Sequence, residues 1–360
     1  MTAGDGGTGA ASPPKRARVT AGWLAAGVAA VAVAAVAGLA FGPVALPPGA
    51  VALQLLDLLP GVHLHSGLST QEAAIVTDLR LPRVVLGLLV GAMLSLAGGC
   101  YQGIFRNPLA DPYLLGAAAG AGLGATAAIA ATHAVSTDGG TPLALPVAAF
   151  AGALVAVAMT YAISAAGTRY RTPATLILAG VAVTSFLTAG QAYLQQRHSD
   201  TIREVYSWLL GRLATAGWHD VLLLLPYAAV AATVILAHGR VLDVLGVGDD
   251  EATSLGAHPR RTRTLLIVVA SLGTAAAVAV SGLIGFVGII APHTVRLLAG
   301  YSYRIVLPLS VLFGGAFLAL ADLVARTALA PAEVPIGVVT AFFGAPFFVV
   351  VLRSSRRAGL

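Results

Sequence analysis

Over 360 residues the chain is 58% hydrophobic and only 10% charged, with a mean hydropathy of +0.87, which excludes a soluble globular or disordered class and leaves a polytopic membrane protein. The net charge of +6 is carried by arginine, since Lys15 is the only lysine. No G-x-x-x-x-G-K-[ST] loop surrounds that lysine, so ATP hydrolysis through such a loop is excluded, and the lone Cys100 excludes an intramolecular disulfide.

Residues 1–20 are polar and glycine-rich, include the basic run PPKRAR, and read as a disordered cytoplasmic tail. Apolar runs of about 20 residues, enough to cross roughly 30 Å of hydrocarbon as helix, then recur. They lie at 22–41, 82–104, 114–134, 143–166, 174–195, 219–238, 263–282, 284–299, 305–328 and 336–352. The first is longer than the apolar centre of a secretion signal and reads as a span. The eighth is interrupted by Gly285, Gly288 and Pro292 and is expected to be short or broken. The chain therefore reads as an all-α transmembrane domain over 21–353, with a cytoplasmic tail at 354–360.

Between the second and third spans lies QGIFRNPLADPYLLG, Gln102 to Gly116, which sets Arg106, Asn107 and Asp111 at one bilayer face. Asn107 and Asp111 each precede a proline, a pattern that ends helices and caps turn backbone. The same residues suit a cytoplasmic mouth, and structure plus a share in that mouth is the preferred reading. In the third span Gly116, Gly120 and Gly124 recur every four residues, the spacing that lets helices approach closely in lipid. The overlapping G-x-G-x-x-A at Gly120, Gly122 and Ala125 has no soluble βαβ setting and is rejected as a dinucleotide site.

The largest polar loop, 239–262, contains VLDVLG and DDEATSLG, each read as a short helix ended by a glycine, Gly246 and Gly256. Asp249, Asp250 and Glu251 suit a helix N-terminus. Two short helices across a membrane face make a docking surface for a partner, or else a solvated connector. With the N-terminus inside, 15 basic residues fall on the cytoplasmic side and six outside, namely Arg80, Arg83, Arg197, Arg203, Arg212 and Arg326. That bias supports ten spans with both termini cytoplasmic, and it explains the positive charge without nucleic acid. His293 lacks Cys, Asp or Glu neighbours and reads as a structural hydrogen-bonding residue; no metal site and no cofactor are expected.

Four segments, Arg80 to Gly116, Leu245 to Gly256, Ser281 to Gly300 and Pro331 to Leu352, resemble the FecCD family in order and over nearly the whole chain after about residue 22. These are permease subunits of bacterial ABC importers for iron-siderophores, haem and vitamin B12. The resemblance implies the type II ABC importer permease fold with an inverted five-helix repeat, in a bacterial cytoplasmic membrane. It also implies a second copy of the chain, with the pathway along the dimer interface, two ATP-binding ABC subunits and an extracytoplasmic substrate-binding protein. Leu245, Gly246, Asp249, Asp250, Glu251, Ala252, Leu255 and Gly256 match the coupling helices that seat in the ATPase.

Arg80, Arg83 and Arg326 match positions that pair with the binding protein; snorkelling, or for Arg326 a pair with Asp322, is the ordinary alternative. Thr184, Ser185, Thr188 and Gln191 in the fifth span, with Thr340 in the tenth, are the polar residues of the two helices that line the family's route. No carboxylate or histidine cluster lies within the spans, which points to an iron chelate, or next a corrinoid, crossing intact. An ion-coupled secondary transporter is the reading from another class, and it would call for intramembrane acidic sites.

Overall fold

A computed structural model of the chain describes residues 19–57, 61, 63–135, 143–166 and 173–357. The expected tail over 1–20 falls almost entirely outside the described residues, as do residues 358–360 of the expected tail at 354–360 and the arginines at 169 and 171. Among the described residues the architecture is helical. Seven helices are long and apolar enough to cross a membrane, and three shorter apolar ones accompany them.

The first span is α1, Ala21–Ala40, opened by the Thr20 hydroxyl accepting from the Trp23 backbone N–H. Next come α2, Pro48–Asp57, and α3, Thr70–Ala74, which has a Ser69/Glu72 capping box. A six-residue π-helical stretch, Ile75–Arg80, leads into α4, Leu81–Phe105. After the turn at 106–116 come α5, Ala117–Val135, α6, Ala144–Ala166, and α7, Pro173–Arg197. The short α8, Ile202–Leu209, precedes α9, Trp218–Ala237. Two short helices, α10, Gly239–Leu245, and α11, Asp249–Ser254, form the polar loop. They lead to α12, Pro259–Ser281, α13, Val287–Ala299, α14, Tyr303–Thr327, and α15, Ile336–Arg357. α15 thus continues helically to Arg357, past the start of the expected tail.

The eighth span is short, one of the two outcomes expected of it, but α13 runs unbroken through Gly288 and Pro292, and the break lies just before it. α12 ends at Ser281, Gly282 and Phe286 both take positive φ, and the 13 residues of α13 reach only about 20 Å. Tyr113, from the turn after α4, holds this break. Its hydroxyl donates to Ile284 O at 3.0 Å and accepts from Ile284 N at 3.3 Å, so backbone freed from helix still finds partners.

α4 is the central helix, buried along most of its length against α9, α12, α13 and α14. Small residues let backbones touch. A Cβ at Gly91 would overlap Gly314 O, and one at Gly98 would overlap Gly288 O. The Gly120 and Gly124 spacing works in the same way, pressing α5 onto Gly152 and Ala148 of α6. α7 and α15 lie at the rim and expose apolar side chains, including Leu178, Phe186 and Phe342.

Candidate functional site

The mouth turn and the α10–α11 loop, far apart in sequence, form one site. Arg106 ends α4 in a left-handed conformation (φ 51°), which turns its side chain toward the loop. Its Nε donates to Leu245 O at 2.8 Å and its Nη2 to Asp249 Oδ1. Arg263, at the start of α12, donates to both Asp249 oxygens at 2.6 Å. Hydrogen bonding and charge from Arg263, then Arg106, hold the Asp249 carboxyl below its ordinary pKa. Asp249 is therefore a carboxylate shared by two arginines from two different segments.

Asn107 and Asp111 act as turn formers. Asn107 Oδ1 accepts from Leu109 N at 2.9 Å and Asp111 Oδ1 from Tyr113 N at 2.8 Å. Asp111 is half-buried, and burial raises its carboxyl to about 6.

Within the loop the expected coupling residues divide by exposure. Leu245 and Ala252 are buried and anchor α10 and α11, whereas Gly246, Asp249, Asp250, Glu251, Leu255 and Gly256 face outward. Gly256 ends α11 in the left-handed region (φ +82°), whereas Gly246 caps α10 without it. Val247, which the sequence reading omitted, is 70% exposed, as is Leu255. Together they give the acidic surface an apolar centre.

Behind this surface lies a second set that sequence reasoning missed. Asp243 of α10 accepts from Tyr303 N and Ser302 Oγ, each at 2.6 Å, and so caps α14. Tyr303 lies under the Arg296 guanidinium, and Arg296 Nη1 donates to Gln102 Oε1 at 2.5 Å. The hydrogen-bonded partners, Asp243 with Ser302 and Tyr303 and Arg296 with Gln102, are 59 to 194 positions apart, so no local pattern marks them.

On the opposite face, two of the three arginines expected to dock a partner are engaged inside the chain. Arg80 is 7% exposed and Arg326 3%. Arg80 donates to Leu39 O at 2.7 Å, Ala40 O at 3.2 Å and Val44 O, and Arg326 donates to Gly38 O. Both guanidinium groups cap the C-terminus of α1, whose last carbonyls lack intrahelical donors. Arg326 also lies 3.7 Å from Asp322, the internal pair that was the alternative. Arg83 forks onto Asp322 at 2.8 to 3.1 Å and onto the exposed Glu333 at 2.9 and 3.0 Å. It lines a cleft of about 160 Å³ with Ser207 and Ile336, and it is the one of the three beside an opening.

The expected pathway residues also divide. On α7, Ser185 and Thr188 are exposed and Thr184 is half-buried. Gln191 is 8% exposed and packs against Gly122 of α5, and Thr340 is fully buried with its hydroxyl on Gly337 O. His293 Nδ1 finds no hydrogen-bond partner among the described residues, contrary to expectation. Its ring instead meets Phe347 edge-on at 5.8 Å. Among the described residues no three His, Cys, Asp or Glu side chains gather.

The FecCD transport family model matches residues 29–354. Over 305 residues, 85% of this chain and 80% of the relative, the sequence is 42% identical to the cobalamin import system permease protein of Halobacterium salinarum. It is 37% identical to an Fe(3+)-citrate import system permease protein of Bacillus subtilis, covering 86% of this chain and 89% of that one. The hemin transport system permease protein of Yersinia pestis is 35% identical over 80% of this chain and 86% of its own. A solved inward-facing transporter assigned to the metal-chelate ABC type superposes with a TM-score of 0.77 at 29% identity, covering 92% of this chain and 98% of that one.

Proposed function

From the premise that this chain belongs to the FecCD transport family and is the permease subunit of an ABC importer of the metal-chelate type, we propose how it is driven and what it carries. Two copies assemble in the cell membrane with both termini cytoplasmic. Each copy seats the α10–α11 loop on an ATP-binding subunit, and a substrate-binding protein delivers cargo to the opposite face. The observation that carries this reading is the direct contact of Arg106 in the mouth turn with Leu245 and Asp249 in the loop. A partner bound to the loop thereby reaches the mouth through one side chain. Exposed Val247 and Leu255, rimmed by Asp249, Asp250 and Glu251, suit an apolar socket with a basic edge.

The cargo is an intact metal chelate. Iron chelates come first, as for the citrate and hemin permeases among its relatives, and the 42% identity to the cobalamin permease favours a corrinoid as the second reading. Purification of the chain from its own cells is expected to bring down an ATPase. Reversing charge at Asp250→Arg and Glu251→Arg should release it, and full uptake by cells lacking that ATPase would overturn the reading. Uptake of labelled iron citrate, hemin and cobalamin by cells with and without the chain then decides the cargo.

A further inference from the structure

The buried set behind the loop carries the argument one step further. Arg296 is 7% exposed, yet among the described residues no carboxylate pairs with it. Its contacts are Gln102 Oε1 at 2.5 Å and the Tyr303 ring, whose centroid is 5.6 Å from the guanidinium carbon, and its Nη2 has no hydrogen-bond partner. A buried cation held only by neutral groups is a poor stabiliser, and an apolar residue of similar size usually serves a static core better. Its placement gives it another role. On one side, Tyr303 and Ser302 are fixed to Asp243 of α10, and Leu242 of α10 lies beside Tyr303 at Gly103. On the other, Gln102 Nε2 donates to Ala110 O of the mouth turn at 3.3 Å and to Gly288 O at the start of α13 at 3.1 Å.

We propose that Arg296 is the positioning residue that passes a displacement of α10 to the mouth turn, through the continuous set Asp243, Tyr303, Arg296, Gln102 and Ala110. The exposed clamp of Arg106, Asp249 and Arg263 joins the same two segments at the surface, where water and salt weaken it. The second route is buried at Gln102 and Arg296 and part-buried at Asp243 and Tyr303, so water and salt reach less of it. The inference rests on the reading that the loop meets an ATP-binding subunit.

The test uses the whole complex as it co-purifies, with Cys100→Ala and a single reporter cysteine, Leu109→Cys, in the mouth turn. The rate of maleimide modification at position 109 is compared without nucleotide and with ATP plus vanadate. With Arg296 present, nucleotide should change that rate by at least about fivefold, the scale of a typical coupling between two sites. Arg296→Met should keep the ATPase bound and hydrolysing but bring the ratio close to one, and Arg296→Lys should restore part of it. Gln102→Glu gives the cation a carboxylate. It also puts an oxygen where Gln102 Nε2 donates to Ala110 O and Gly288 O, so it should cut the link to the mouth turn and suppress the nucleotide effect while Arg296 stays paired, whereas a merely structural role predicts the effect intact. An unchanged nucleotide ratio in Arg296→Met, or in Gln102→Glu should the first variant fail to fold, would overturn the proposal. Failure of the unaltered chain to retain any ATPase would instead remove the reading beneath it.

Discussion

Arg80 donates to the last two carbonyls of α1 and to Val44 O beyond it, and Arg326 donates to Gly38 O of α1, so both roles follow from what a helix end needs where water is scarce. Arg80→Ala leaves the carbonyls of Leu39, Ala40 and Val44 without this donor and should cost about 2–3 kcal/mol, read as a lower unfolding midpoint in detergent. Arg80→Lys should recover only part, because one ammonium cannot reproduce the planar fork. An unchanged midpoint combined with weaker binding-protein association would return Arg80 to docking. Asp111, outside the spans, gives a pH signature. Burial raises its carboxyl from 3.8 to about 6, so the folded chain binds that proton more tightly than the unfolded chain. Its contribution is therefore greatest below about pH 4 and is lost as pH rises through about 6. Asp111→Asn keeps an oxygen for Tyr113 N and should flatten that slope in the unfolding midpoint; a parallel fall in both proteins would place the titration elsewhere.

Among the elements, the α5–α6 pair is the tightest junction that the sequence announced. A Cβ at Gly120 would fall on Gly152 O, so Gly120→Val should push the helices apart at a cost of at least about 1–3 kcal/mol. Gly49→Ala, at a helical position of α2 where a Cβ meets nothing within 4 Å, should not lower the midpoint and should at most raise it slightly through the helix preference of alanine. Equal effects at both sites would remove close packing as the cause. The spans, the short eighth helix, the mouth turn and the start of α11 were legible because apolar length, Gly and Pro, and Asx or acidic caps act within a few residues of where they stand. The partners of the arginines were not. Arg80, Arg83 and Arg326 share one local setting at helix ends, and whether such a group docks, snorkels or caps depends on which distant backbone lies beside it. The chain Asp243, Tyr303, Arg296 and Gln102 was hidden for the same reason. Each residue alone is an ordinary polar group near a helix end, and its meaning comes from packing across segments.

At the scale of the whole molecule, the contrast between a buried centre and a bare rim sets the last expectation. The most apolar windows of α4 and α12 are each 78% buried within the chain, against 28% for α7. α7 nevertheless carries exposed Ser185 and Thr188 beside Leu178 and Phe186, a mixed face that suits neither a dry core nor a purely lipid boundary. Ser185 already donates to Val181 O in its own helix at 3.0 Å, so lipid alone would tolerate that hydroxyl. In the proposed assembly a second copy meets this face across a wet pathway, which would suit both the polar and the apolar residues. With Cys100→Ala, a cysteine at Thr188→Cys should react with a water-soluble maleimide and be joined to its counterpart by a short bis-maleimide, giving a band of twice the chain mass. Leu178→Arg should weaken that pairing while leaving the α4-centred fold intact, because position 178 is 72% exposed. If Thr188→Cys reacts only with lipid-soluble reagents and never cross-links, α7 faces the bilayer, and the pathway must run along another exposed helix, such as α15 past Phe342.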